Sequence, residues 1–166
     1  MRFLKMFAWL VLAGALLLGV GCSTLEPIYV ISLHEYSLKE AGAVSRLNLE
    51  AAGPGMTKAT DIARIPFVDA RNLYKADVVP SKEKPGRFGI RLYADAFGKN
   101  RLMQAAGGRD GLPFAVVVDG FYVGESKLDE AKAYEGILEL APLWGEREAK
   151  SIADNVSVNY MKIGEF

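Results

Sequence analysis

The sequence predicts an α+β fold, a single domain in which a mainly antiparallel sheet carries helices packed on one face. Short segments with alternating apolar side chains, which are typical of strands, are joined by tight turns and interrupted by two amphipathic helical segments. The chain has 166 residues, which suits one hydrophobic core. The predicted order is strand, turn, strand, helix, strand, hairpin strand, strand and helix.

The N-terminal part of the chain carries few structural signals. The segment YVISL, residues 29–33, is rich in β-branched and aromatic side chains and predicts a strand. Residues 37–49 fit a weak helix and an extended segment equally well. The Gly-Pro-Gly sequence within residues 51–60 predicts a loop, because proline lacks an N–H donor and glycine permits positive φ. We therefore predict a tether and N-terminal arm over residues 22–60 and the main domain over residues 61–166.

Two strands joined by a turn open the main domain. Asp69 predicts the cap of a short helical turn that ends at Leu73. Residues 74–79 form a predicted strand, and the sequence PSKEKPG, residues 80–86, forms a turn. In the following strand, residues 87–93, apolar residues recur with the period of two that is typical of a half-buried strand. The alternating positions are Tyr74, Ala76 and Val78 in the first strand and Phe88, Ile90 and Leu92 in the second.

A helix and a hairpin come next. Asp95 predicts the start of a helix that continues to about Ala106, where the sequence GGRDG ends it. The sequence LPFAVVVDGFYVG gives the clearest local signal, because residues 114–118 are wholly apolar and predict a central strand. Asp119 and Gly120 form the dipeptide preferred in a type I′ turn, in which both central residues have positive φ.

The C-terminal part predicts a linker, a strand and a helix. Residues 125–135 are rich in acidic residues and lysines and are predicted as a linker, and the sequence EGILEL, residues 135–140, predicts the last strand. Glu146 and Glu148 favour the start of a helix, since acidic side chains stabilise a helix N-terminus. The apolar stripe of this helix, with spacing i, i+3, i+4 and i+7, consists of Ala149, Ile152, Ala153 and Val156.

The first residues have the features of a targeting segment. Residues 6–21 form an apolar run of 16 residues, which follows Arg2 and Lys5 and precedes the chain's one cysteine, Cys22. A helix that spans a bilayer needs about 20 residues, so the run suits a signal peptide over residues 1–21. The sequence LLLGVGCS resembles the lipobox of bacterial lipoproteins, in which the cysteine becomes the acylated first residue. The resemblance implies lipidation of Cys22, with an uncleaved membrane anchor or an incidental thiol as the alternatives.

The same segment indicates where the protein is located and which residues count toward its net charge. Ser23 follows the cysteine in place of the aspartate that retains enteric lipoproteins at the inner membrane, so we expect the outer membrane, facing the periplasm. An acylated Cys22 cannot form a disulfide. Removal of residues 1–21 leaves 145 residues with a net charge of −2, without the basic excess that nucleic-acid binding requires. We expect no nucleic-acid partner and no cofactor.

The residue types needed for catalysis are scarce. His34 is the one histidine, and with Cys22 acylated the chain cannot supply three nitrogen or sulfur ligands for zinc. Asp129 and Glu130 are flanked by lysines, which is typical of a solvated segment more than of a calcium site. We therefore predict no catalytic residue and no metal site. The alternative function is an envelope hydrolase with an acidic site near His34.

Aromatic residues are the better candidates for binding. Tyr122, Tyr134 and Trp144 lie beside predicted turns or at strand ends. Tyrosine and tryptophan are enriched among the residues that dominate protein interfaces, so Tyr122 and Trp144 are candidate binding residues. The alternative is that these rings fill the core or cover the sheet edge.

Four segments between residues 67 and 156 resemble the head of the first periplasmic domain of SecD, a protein-export membrane component. They are DARNLYKADVV, FGIRLYADAFGKNRLMQAA, GLPFAVVVDGFYVGESKL and GILELAPLWGEREAKSIADNV. The family shows a strand and helix, a hairpin with an Asp-Gly turn, and a later strand that leads into a helix. The matching residues are Gly111, Ala115, Val116, Val117, Asp119, Gly120 and Val123 in the hairpin and Glu148, Ala149 and Ala153 in the last helix.

The resemblance implies a fold like the SecD head and a link to protein export. No transmembrane bundle is expected after residue 156, so we expect no coupling to a proton gradient. Each matched residue also has a structural role, and function inferred from fold alone is an analogy. The predicted function is a lipid-anchored, non-catalytic binding or accessory module of the cell envelope, with a protein partner or an unfolded exported polypeptide as its ligand.

Overall fold

The computed structural model describes residues 26–36, 46–49, 59–107 and 110–164. Cys22 and the predicted signal peptide lie outside these residues, as does most of the segment that fitted both a helix and an extended chain. The strands are β1 (Ile31–Glu35), β2 (Arg46–Leu49), β3 (Ala59–Ala63), β4 (Val68–Asp69), β5 (Leu73–Pro80), β6 (Phe88–Ala94), β7 (Pro113–Val118), β8 (Phe121–Lys127) and β9 (Ile137–Trp144). The helices are α1 (Ala96–Ala106), α2 (Glu130–Glu135) and α3 (Glu146–Gly164), and a 3₁₀ turn covers Ala70–Asn72.

The strands form antiparallel sheets, as predicted for an α+β domain. A four-stranded sheet has the order β4-β1-β7-β8, a three-stranded sheet has the order β5-β6-β9, and β2 pairs with β3. β1 lies between two strands of the main sheet, with Leu33 opposite Val68 on β4 and Val116 on β7. Residues 31–35, which the sequence places in an N-terminal arm, therefore belong to the same sheet as the central hairpin.

The hairpin forms as its turn dipeptide predicts. Val118 pairs with Phe121, so Asp119 and Gly120 alone connect β7 to β8, with φ angles of +50° and +81°. Both values are positive, as a type I′ turn requires. β7 is buried from Phe114 to Val118, because alternate side chains pack in the large core cluster on one face and in a smaller cluster with Ile62 on the other.

One hydrophobic core joins the two larger sheets and the helices. Phe114 and Val116 on β7 and Ile90 and Leu92 on β6 have side chains that are at most 1% exposed, and all four belong to the same cluster. Burial of one such side chain contributes about 1.5–3 kcal/mol to stability. The helices contribute Leu102, Ala105 and Ala106 from α1, Ala133 from α2, and Ala149, Ile152 and Val156 from α3.

The structure confirms the apolar stripe predicted for helix α3. Its buried face holds the four predicted apolar residues and extends one turn further to Asn159, which is 1% exposed. Glu146 and Glu148 lie in its first turn, as expected from the helix dipole. Among the described helices, none combines the length and the hydropathy needed to cross a bilayer.

The predicted linker over residues 125–135 is wrong. β8 continues to Lys127, and α2 follows after a break of two residues. Asp129 caps α2, because its carboxylate accepts from the Lys132 N–H at 3.1 Å, and Gly136 ends it with a φ of +79°. A six-residue helix exposes most of its side chains, so its acidic residues and lysines resemble those of a solvated loop.

Candidate binding groove

The two larger sheets meet at a seam between β8 and β9. Ser126 on β8 is 4% exposed; its hydroxyl donates to the Glu139 carbonyl at 3.1 Å and accepts from the Ala141 N–H at 2.8 Å. A side chain thus supplies two hydrogen bonds between strands that belong to different sheets. Gly124 also lies at this seam, with a φ of +150° that other residues rarely adopt, and a Cβ there would displace the Leu143 side chain.

A bulge in β9 lies beside this seam. Leu140 pairs with Ile90 and Trp144 pairs with Phe88, so three residues of β9, 141–143, lie opposite Gly89 alone. A Cβ on Gly89 would collide with the Leu140 carbonyl oxygen. Only glycine therefore fits at this position, and the sheet surface here carries little side-chain volume.

An open groove of about 740 Å³ lies over these small residues, which we call the seam groove. Gly89 and Ala141 line it, together with residues of the turn before β6, the end of β8 and the start of α2. Four lysines and four acidic residues line it, so it is rich in charge of both signs. They are Lys82, Lys84, Lys127 and Lys132 and Glu83, Glu125, Asp129 and Glu139.

Glu139 holds one wall of the groove in place. Its Oε1 accepts from the Arg91 Nε at 2.7 Å, and its Oε2 accepts from the Lys132 Nζ at 2.6 Å. The hydrogen bond from Lys132, followed by that from Arg91, lowers the pKa of the Glu139 carboxyl. The carboxylate therefore remains ionised well into the acid range and ties α2 to the three-stranded sheet.

The charged network continues across the outer face of that sheet. Asp77 pairs with Arg91 and Arg91 pairs with Glu139, so side chains of alternating charge lie next to one another on three strands. The Tyr93 hydroxyl donates to the Asp77 carboxylate at 2.7 Å, and the Lys75 ammonium lies 4.6 Å from the centre of the Tyr93 ring. This face is polar and partly open to solvent, whereas the opposite face packs in the core.

Comparisons with known proteins point to one fold. No family model and no curated protein matches the sequence. A solved structure described as a membrane component SecDF that enhances protein export superposes with a TM-score of 0.57 at 16% identity. The chain is similar in fold to SecDF. A second structure, SecDF in a super-membrane-facing form, superposes with a TM-score of 0.56, also at 16% identity.

The extent of the match limits what it shows. The first superposition covers 79% of this chain and 63% of the SecDF chain, and the second covers 78% and 18%. The chain therefore spans less than two thirds of either SecDF chain. The SecD-like fold predicted from the sequence is confirmed, and at this identity the likeness concerns the fold alone.

The two predicted binding residues of the SecDF-like domain differ in how deeply they are buried. Trp144 is 2% exposed and belongs to the large core cluster, so it is not available as a surface anchor. Tyr122 is half-buried and packs against Ala115 and Val117, with its hydroxyl 3.3 Å from the Tyr36 hydroxyl. Burial raises the pKa of the Tyr36 hydroxyl. Neither predicted residue lines the seam groove.

The predicted turn has a second role besides joining two strands. The carboxylate of Asp119 accepts from the Tyr29 N–H at 3.0 Å and from the Val30 N–H at 2.8 Å. Asp119 also donates its own N–H to the Val30 carbonyl at 3.0 Å. The hairpin turn therefore fixes the chain just before β1.

His34 is buried and engaged on both ring nitrogens. Its Nδ1 lies 2.8 Å from the Ala63 carbonyl oxygen and its Nε2 lies 2.9 Å from the Ser32 hydroxyl. A carbonyl oxygen only accepts, so Nδ1 carries the proton and Nε2 accepts from Ser32. The histidine is 4% exposed. It connects β3 to β1, which is a structural role.

The sequence singled out Asp129 only as part of a solvated segment, and it did not predict the seam groove or the charged network beside it. Arg91 and Glu139 are at the outward positions of their strands, and that alternation was the available signal, but their pairing required the sheet order. Ser126 gives no sequence signal, because a lone serine in a strand is unremarkable. Among the described residues, no group of three or more histidine, cysteine or acidic side chains is arranged to hold a metal ion.

Proposed function

We propose that this chain is a lipid-anchored, non-catalytic lipoprotein of the bacterial envelope that binds polypeptide through the seam groove. Acylated Cys22 attaches it to the outer membrane, and the SecDF-like domain faces the periplasm. The support for the anchor is the sequence LLLGVGCS, in which the cysteine follows a short apolar run. The binding role is that of an accessory module for protein export or for an envelope complex.

The seam groove is the observation that carries the binding role. Pockets for small ligands carry only a few polar groups, whereas eight charged side chains line this groove beside its apolar surface. Charges of both signs beside apolar surface suit a chain that presents its own charges and main-chain polar groups. An unfolded polypeptide has both, and it also fits an open groove over small residues such as Gly89.

The fold similarity supports the link to export. SecDF is described as a membrane component that enhances protein export. Because this chain spans less than two thirds of SecDF, the activity of the whole protein is not carried over. The proposal is limited to polypeptide binding by a domain of the same fold.

The burial of His34 supports a non-catalytic role. A general base must reach both its nucleophile and a bound substrate. The ring bonds to Ser32 and Ala63 within the sheet, and it is 4% exposed. The hydrolase alternative would need an opening through which a substrate reaches this ring.

The test is a binding measurement with two matched charge reversals. The full chain is purified in detergent, and binding of a fluorescent, reduced and carboxymethylated α-lactalbumin, an acidic unfolded polypeptide, is followed by anisotropy. The double variant Lys82→Glu/Lys84→Glu changes the groove wall. The control Arg147→Glu/Lys150→Glu makes the same charge change on an exposed part of α3.

We expect the groove variant to bind about tenfold more weakly, a change of about 1.4 kcal/mol, and the control to bind like the unmodified chain. An equal loss in both variants would mean that only net charge matters. No binding by the unmodified chain would refute an unfolded polypeptide as the ligand.

A further inference from the structure

Three large apolar side chains are exposed close to the point where the described chain begins. Ile28 is 52% exposed, Phe121 is 47% exposed and Met161 is 60% exposed. A single exposed apolar residue is ordinary on a protein surface. Their placement relative to one another therefore decides whether they form an interaction surface.

Hydrogen bonds hold the three segments that carry these side chains together. Asn159 of α3 donates through Nδ2 to the Ile28 carbonyl at 2.8 Å. The next two residues, Tyr29 and Val30, donate their N–H groups to the Asp119 carboxylate of the hairpin turn. Each of the three exposed apolar side chains lies within two residues of one of these bonds, so all three belong to one end of the domain.

The length of the tether brings this end near the membrane. Ile28 is six residues after Cys22 in the sequence, and a fully extended chain covers at most about 3.6 Å per residue, or about 22 Å in total. The headgroup layer on each side of a bilayer is itself about 5–8 Å thick. If acyl chains hold Cys22 in the bilayer, the end of the domain at Ile28 cannot lie far from the lipid surface.

We propose that Ile28, Phe121 and Met161 form an anchor-proximal surface that rests on the bilayer with its apolar side chains in the interfacial layer. The inference rests on the lipid anchor of the proposed function. Apolar residues such as phenylalanine contribute to interfacial binding in proportion to the area that they bury. This contact fixes the orientation of the domain relative to the membrane. A flexible lipid attachment alone leaves that orientation free.

The charges at this end favour a lipid surface without net charge. Glu26 is two residues from Ile28 and Lys162 is next to Met161 in the sequence, and the two carry opposite charges. The Asp119 carboxylate is occupied by two main-chain N–H groups. Recognition of anionic lipids requires a cluster of lysines and arginines. We therefore expect the contact to form on a zwitterionic phosphatidylcholine or phosphatidylethanolamine bilayer.

The two ends of one hairpin supply a matched pair of positions for the test. Leu112 precedes β7 and is 50% exposed, nearly the same as Phe121 at the other end of that strand. The six residues of β7 separate the two positions by about 20 Å. Tryptophans at the two positions are therefore about equally exposed in the free protein. The one at position 121 lies at the proposed membrane surface, and the one at position 112 lies farther from it.

The variants Phe121→Trp and Leu112→Trp are prepared as full, membrane-purified chains and placed in phosphatidylcholine vesicles with bromine near the headgroup end of the acyl chains. The buried Trp144 is common to both variants, and the unmodified chain gives its contribution. We expect bromine to quench the fluorescence of Phe121→Trp at least twofold more strongly than that of Leu112→Trp. Mass spectrometry of the same samples reports whether Cys22 is acylated.

Equal quenching in the two variants with acylated Cys22 overturns the anchor-proximal surface and leaves the proposed function intact. An unmodified Cys22 without quenching at Phe121→Trp refutes the lipid anchor and the surface together. Selective quenching at Phe121→Trp supports the surface whatever the state of Cys22, and an unmodified thiol then refutes the acyl anchor alone.

Discussion

The hydroxyl of Ser126 lies 2.8 Å from the main-chain nitrogen of Ala141, and this contact joins two sheets that share no regular ladder. The same hydroxyl donates to the Glu139 carbonyl at 3.1 Å. Because Ser126 is buried, water does not replace either bond readily. Ser126 therefore supplies the buried hydrogen bonds that help to hold β8 against β9 beside the seam groove.

Replacing Ser126 with alanine should destabilise the domain. The substitution removes about one oxygen atom of volume but leaves the Ala141 N–H and the Glu139 carbonyl without the hydroxyl. An unpaired buried polar group costs about 1–3 kcal/mol, so we expect the free energy of unfolding to fall by that amount. Urea unfolding at pH 7, followed by circular dichroism, measures the change.

The control is Ser157→Ala. Ser157 is exposed on α3, where alanine favours the helix slightly. Its free energy of unfolding should stay within about 0.5 kcal/mol of the unmodified chain. If Ser126→Ala shows the same small change, the hydroxyl does not hold the seam.

Local chemistry determined the parts of the fold that the sequence predicted correctly. The Asp119-Gly120 turn needs only its own φ preferences and the apolar run before it. Helix α3 needs only the spacing of its apolar residues. Helix α2 was missed because six residues are too few to show a helical period, although its cap Asp129 and its ending residue Gly136 were both visible.

Long-range contacts determined the parts that the sequence did not predict. The pairing of Arg91 with Glu139 joins residues 48 positions apart, and no local pattern reports it. Trp144 looked exposed because it precedes a turn, but it pairs with Phe88 and completes the core. The seam groove arises from the sheet order, which the sequence pattern left open.

The burial of Trp144 predicts a stability effect where the sequence suggested a binding effect. Trp144 is 2% exposed, and Trp144→Ala would leave a large cavity in the core. Truncation of a buried tryptophan or phenylalanine to alanine typically costs about 3–5 kcal/mol. We expect a loss of this size in urea unfolding.

Tyr134→Ala is the matched aromatic control. Tyr134 lies on α2 and is 48% exposed, so its truncation should change the free energy of unfolding by no more than about 0.5 kcal/mol. A Trp144→Ala variant that unfolds at the same urea concentration as the unmodified chain would contradict the core position of this ring.

The pH dependence of stability near neutrality should come from His34, the one histidine of the chain. Burial lowers the pKa of its imidazole because the charged form loses hydration. The Ala63 carbonyl and the Asp69 carboxylate act in the opposite direction but do not outweigh burial. The folded protein therefore holds this ring neutral at pH values where the unfolded chain already binds a proton.

In the unfolded chain His34 titrates near its usual pKa of about 6.5. Above that pH the ring is neutral in both states, and stability does not depend on it. As the pH falls below about 6.5, the unfolded state gains a proton that the folded state excludes, so the free energy of unfolding decreases by at most about 1.4 kcal/mol per pH unit. The carboxyls of Asp77 and Glu139, whose pKa values are also lowered, lose their contribution in a separate range below about pH 4. Urea unfolding between pH 8 and pH 5 should therefore show a decline for the unmodified chain and a flat profile for His34→Gln, and a decline of equal slope in both would assign the proton to another group.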